Sequence, residues 1–187
     1  MGEGLWERRV LGAVNFVPLI LASLSMRRRG LLATCLVSIA LGATLAVTAD
    51  ITHNRMVFAA QWLVLTVAFV SVASGMFSYL RSATEVYAGH LYIATSIYLL
   101  LAVIFYCIYS AAAAFDPHAF VETTIGPTHA PADLLYFSLV TLTTLGYGDI
   151  VPVGRFVRML AGLEAGTGVM YVAVTVATLV SGYRRFE

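Results

Sequence analysis

A succession of apolar runs long enough to cross a bilayer leaves this chain few folds to choose from. A spanning helix needs about 20 mainly apolar residues. Runs at 10–26, 30–49, 56–80, 89–114 and 155–182 approach or exceed that length. The first is the shortest and carries Asn15 and Pro18. Of the 187 residues, 60% are apolar and only 11% charged, where a soluble domain carries about 25% charged residues. The fold class that follows is an all-α integral membrane protein, with the lipid bilayer as its first partner. The net charge of +1 leaves no electrostatic footprint for nucleic acid. Cys35 and Cys107 lie inside apolar runs and read as packing residues, since neither has metal-ligand spacing around it.

Arginine placement sets an orientation. Arg27–Arg29, Arg81 and Arg184–Arg185 belong on the cytoplasmic side, so the 50–55 link and the 116–153 region lie outside and the C-terminus inside. The first run either spans, putting Arg8 and Arg9 outside, or lies along the cytoplasmic interface. Spanning is the reading taken, because the run has no strongly charged face.

One apolar stretch is too short for this pattern. Residues 116–131 are polar and rich in proline, which is loop chemistry. Ala132–Thr143 follows, with Asp133 placed to cap its start. At 1.5 Å per residue it reaches roughly 18 Å, against a hydrocarbon core of about 30 Å. Such a helix can enter partway and turn back if protein surrounds it. It leads into Thr143-Thr144-Leu145-Gly146-Tyr147-Gly148-Asp149, poor material for a spanning helix. A dehydrated cation needs oxygens in place of its water. An extended backbone supplies them if glycine permits the dihedrals that turn successive carbonyls to one axis. Thr144 adds a hydroxyl oxygen, and the negative end of the short helix favours a cation.

Thr141 through Asp149, in this setting, resembles the signature of the potassium channel family. The resemblance covers roughly residues 89–185. The apolar runs ahead of it leave an N-terminal transmembrane region at 1–88 with about three helices; the resemblance implies a pore domain at 89–187. The latter divides into an outer helix (89–115), a turret (116–131), a pore helix (132–143), a selectivity filter (144–148) and an inner helix (155–182). It further implies that the carbonyls of Thr144, Leu145, Gly146 and Tyr147, with the Thr144 hydroxyl, hold K+, and that Gly148 completes the filter. Tyr147 braces the filter from outside, and Asp149 sits at its mouth, holding the loop rather than drawing in ions. Tyr136 and Phe137 resemble the family's aromatic pair on the pore helix, and Thr143 supports the filter's first turn. One loop is a quarter of a ring, so the resemblance implies a homotetramer in the cell membrane. K+ is its permeant ligand and no other cofactor is expected.

Two departures stand out. Leu145 occupies a position that is most often valine, with the backbone carbonyl unchanged. Val140 stands where some members carry a glutamate behind the filter. Glu164 lies about nine residues inside the last run, a costly depth for an ionisable group. It either draws cations into the cavity below the filter or hydrogen-bonds behind the pore helix; the second is the reading taken. Gly166 lies near the position where family inner helices bend, and small residues also serve close packing. The run 56–80 contains no arginine, so no intrinsic voltage sensor is expected. The chain ends two residues after Arg185, so no cytoplasmic regulatory domain is expected either. His118 and His129 read as solvated loop residues, and the tyrosines of 87–109 as anchors and packing. Two other functions stay open on the sequence: a less selective monovalent cation channel, and a membrane-embedded regulatory subunit that does not conduct. Enzyme chemistry is not expected, since no nucleophile and base stand out as a pair.

Overall fold

A computed structural model of the chain describes residues 29–82, 88–122 and 131–183. The run 10–26, and with it the side on which the N-terminus lies, falls outside the described residues. Helix α1 runs Arg29–Thr52 and α2 Arg55–Ser82. The chain reverses between them in two residues. His53 takes a left-handed φ of 49°, and Asn54 caps α2 by accepting the Met56 N–H on Oδ1 at 2.9 Å. Helix α3 covers Ala88–Phe115. These helices, together with the last, contain four segments long and apolar enough to cross a membrane. The chain is a multi-pass membrane protein.

The helices form a layer in sequence order, α1 on α2 and α2 on α3. Small side chains let the backbones approach, as Cys35, Ala59 and Ala68 at 0% exposure show. A polar contact joins α1 to α2, where the Thr34 hydroxyl reaches Ser71 Oγ at 3.4 Å. Trp62 meets Tyr106 edge-on with centroids 5.1 Å apart, fastening α2 to α3.

The short helix α4 covers Pro131–Leu142 and packs between α3 and the final helix α5, Arg155–Tyr183. Part of the polar stretch expected as loop is a strand. Strand β1, Phe120–Glu122, pairs antiparallel with β2, Ile150–Pro152. The register sets Phe120 against Pro152 and Glu122 against Ile150, and Val153 N–H adds a bond to Ala119 O at 2.8 Å. This clip ties the chain just after α3 to the chain just past residue 149. Neither strand shows in the sequence, because three residues are too few for a periodic signal.

Helix α5 comes close to α4 at Gly168. A β-carbon there would stand 2.0 Å from the carbonyl oxygen of Leu142, whereas one on Gly166 meets nothing within 4 Å. Gly168→Ala is therefore expected to destabilise the protein by about 1–3 kcal/mol through overpacking. Gly166→Ala should be neutral, or stabilising by up to about 1 kcal/mol through helix propensity. Thermal melts of both variants in one detergent check the pair; equal melting temperatures would refute the contact.

Candidate functional site

Pro131 opens α4 at a position where its missing N–H costs nothing. Asp133 lies inside the first turn rather than before it, so it complements the helix dipole instead of serving as the N-cap. The C-terminus closes on itself. Thr144 N–H donates to Thr141 O at 2.9 Å and Leu145 N–H to Val140 O at 2.9 Å. This crossed pair is the Schellman arrangement, which needs a left-handed residue just past the helix. That place usually falls to glycine, yet here Thr144 holds it with φ 59°. A β-branched residue so placed costs on the order of 1–3 kcal/mol. Thr143 donates its hydroxyl to Leu139 O at 2.7 Å.

Beyond Thr144 the left-handed conformation returns at every second residue: Gly146 at φ 54° and Gly148 at φ 77°. In an ordinary strand successive residues face opposite sides. Reversing the sign of φ at alternate residues cancels that alternation, so neighbouring carbonyls can share one side. Thr143 through Gly148 are all exposed on the single chain.

One flank of the loop is held by Tyr136. Its hydroxyl donates to Asp149 Oδ2 at 2.8 Å, and its ring stacks on Tyr147 at 6.4 Å with planes 3° apart. Asp149 Oδ1 accepts the Ile150 N–H at 3.0 Å. The Tyr136 bond holds the Asp149 carboxyl below its ordinary range, and the same bond pushes the Tyr136 phenol up to about 12. Phe137 points the other way. It is buried and forms an edge-to-face triangle with Tyr109 and Phe120, at 5.1 and 5.3 Å.

Behind α4 lies Glu164, at 0% exposure. Tyr109 donates to its Oε2 at 2.6 Å, and Ser138 contacts Oε1. Ser138 also reaches the Ala102 carbonyl at 2.8 Å. Three helices therefore meet at one carboxyl group. The Leu142 carbonyl, last on α4, accepts the Tyr98 hydroxyl at 3.3 Å, and Tyr171 donates to Ala94 O at 2.7 Å.

Comparison with known proteins fits this geometry. A family model described as "Ion channel" matches residues 93–185, the span that carries α4, the loop and α5. Over that span the chain belongs with the ion-channel family. It is 35% identical over 92 residues to Two pore potassium channel c of Oryza sativa subsp. japonica, covering 49% of this chain and 18% of that protein. It is 41% identical over 59 residues to Potassium voltage-gated channel protein shk-1 of Caenorhabditis elegans, covering 32% and 11%. Inward rectifier potassium channel Kirbac3.1 of Paramagnetospirillum magnetotacticum is 34% identical over 53 residues, covering 28% and 18%. The chain thus spans less than a fifth of these relatives' own length. No solved structure matches the chain significantly.

Within this pore-loop protein the residues singled out in sequence fall into three places. Thr144–Gly148 form the exposed loop; Thr143, Tyr136 and Asp149 adjoin it; Phe137 and Glu164 lie behind α4. Gly166 stands apart from all of them, on an open face of α5. Sequence reasoning passed over Ser138 and read Tyr98 and Tyr109 only as anchors and packing, because their hydroxyls look like those of any other serine or tyrosine in an apolar run.

The sign of the Asp149 shift makes a pH prediction. A carboxylate held below its ordinary value stabilises the loop above about pH 4. That contribution is lost as pH falls through the lower folded value. Tyr136→Phe should raise the Asp149 titration midpoint toward the ordinary carboxylate value, read by NMR of a carboxyl-labelled sample. An unchanged midpoint would remove Tyr136 as the cause.

Proposed function

We propose that the chain forms a potassium-selective channel that passes K+ down its electrochemical gradient. The observation that carries this reading is the alternation of left-handed backbone at Thr144, Gly146 and Gly148, directly after a helix that stops short of crossing. In this reading the carbonyls of Thr144, Leu145, Gly146 and Tyr147, with the Thr144 hydroxyl, replace the ion's hydration shell. The strained Thr144 is then explained, because glycine would relieve the backbone but remove an ion-facing oxygen. Gly148 ends the filter, and Asp149 with Tyr136 holds its outer end.

One loop cannot surround an ion, so the pore is a homotetramer with cyclic symmetry. Exposure on the single chain supports this. Leu145 is 56% and Tyr147 66% exposed, and α5 turns out Met159 at 61%, Leu163 at 56% and Met170 at 64%. Neighbouring copies would cover the loop and line the axis with α5. In this reading the channel sits in the cell membrane, and arginine placement supports a cytoplasmic C-terminus. The inner helix opens by bending at or beyond Gly166, where no neighbour blocks a change of angle. A bend at Gly166 itself has to slide Gly168 off Leu142.

Purified protein in vesicles should conduct K+, with reversal potentials in mixed K+ and Na+ gradients close to the K+ value. Gly146→Ala, which forces a side chain into a left-handed position, should reduce flux by about a hundredfold or more. Leu145→Val should leave the reversal potential unchanged. Equal leak from wild type and Gly146→Ala would sink the filter assignment. A reversal potential midway between the two ions would make the channel a less selective one.

A further inference from the structure

Glu164 poses a proton-counting problem. It is fully buried on α5, inside a spanning helix. Its polar partners among the described residues are two hydroxyls, those of Tyr109 and Ser138. No cation is among them. From α3 it is faced by Tyr109 and from α4 by Ser138, while Asp133 and Tyr136 of α4 and Arg158 of α5 make no bond to it.

Tyr109 spends its proton on Oε2, at 2.6 Å. Ser138 has one proton and two oxygens in reach: the Ala102 carbonyl, at 2.8 Å, and Glu164 Oε1. A hydroxyl donates only once. If Glu164 is ionised, both Ser138 contacts must draw on that single proton, and a carboxylate stands in a low-dielectric interior without a counter-ion. If Glu164 carries a proton, every contact has its own donor. Tyr109 donates to Oε2, Glu164 Oε1–H donates to Ser138 Oγ, and Ser138 Oγ–H donates to Ala102 O. The chain of donors then runs one way, from α3 through α5 and α4 back to α3, with no proton short and none spare.

We propose that Glu164 is an un-ionised acid, the middle member of this relay, and a positioning residue for the 144–148 backbone through α4. The positioning role rests on the channel reading above; the protonation state does not. Replacing Val140 by a polar residue is unnecessary for such support, because the hydrogen bonds reach α4 from the opposite helix.

Infrared difference spectra separate the two claims. Full-length wild type and Glu164→Gln are compared in lipid vesicles at neutral pH. The expected difference is the carbonyl stretch of an un-ionised carboxylic acid, present in wild type and absent in the variant. Tyr109→Phe, which removes a donor to that carbonyl and keeps the acid, should move the band to higher frequency. A carboxylate band pair in its place would overturn the proposal. K+ flux tests the positioning. Glu164→Gln can still donate to Ser138 and accept from Tyr109, so it should retain flux within about threefold, whereas Glu164→Ala should lose about tenfold or more. Equal losses in both variants would overturn the positioning role. No flux from wild type would instead sink the channel reading, and the spectra would still decide the protonation state.

Discussion

A helix of 12 residues is too short to cross a bilayer, and where it stops its last carbonyl groups have no next turn to satisfy them. That constraint governs everything around α4. The Val140 carbonyl accepts Leu145 N–H at 2.9 Å, with Gly146 N–H a weaker partner at 3.4 Å, so the loop's first amides serve to close the helix. The Leu142 carbonyl takes a tyrosine hydroxyl from α3. Thr143 folds its hydroxyl back to Leu139. The loop's handedness starts in this closure, because the crossed bonds require Thr144 to be left-handed. Cap and loop are thus one structure, and a change that opens the cap also turns the carbonyls that follow it.

Support for that structure comes from separate directions and by different chemistry. On the loop side, Tyr136 joins Asp149 by a hydrogen bond and Tyr147 by stacking. On the far side, three aromatic rings and the Glu164 cluster fill the space between α3, α4 and α5. The β1–β2 clip holds the outgoing chain to the residues just after α3. Helices α1 and α2 add a layer behind α3, and α2 side chains such as Trp62 and Leu65 share one apolar cluster with Tyr109, Phe120 and Phe137.

The spans and the loop were legible in the sequence for a physical reason. Apolar length reports the bilayer directly, and Gly-Tyr-Gly after a half-length helix has few other uses. The ends of the described spanning helices lie within three residues of the apolar runs, since arginines and prolines mark where lipid ends. The depth of Glu164 flagged it as unusual, yet its partners did not show. Tyr109 is 55 residues away along the chain and Ser138 is 26, and nothing in the sequence joins them. The role of Gly168 was hidden for a related reason. Three glycines within seven residues share one helix, and only the rotation of α5 about its axis decides which one touches Leu142. The strands were unreadable because their pairing is set by the closing of the loop rather than by their own side chains.

Glu164 and Gly168 lie one turn apart, about 6 Å along α5, and both are engaged with α4: one through Ser138, the other through the Leu142 carbonyl. Two points fix a line. The first half of α5 is therefore clamped like the fixed end of a lever, while its remaining turns down to Tyr183 form the free arm. A displacement of that arm reaches the clamp reduced in distance and multiplied in force. Its first point of application is Leu142, the last residue of the helix that carries the loop.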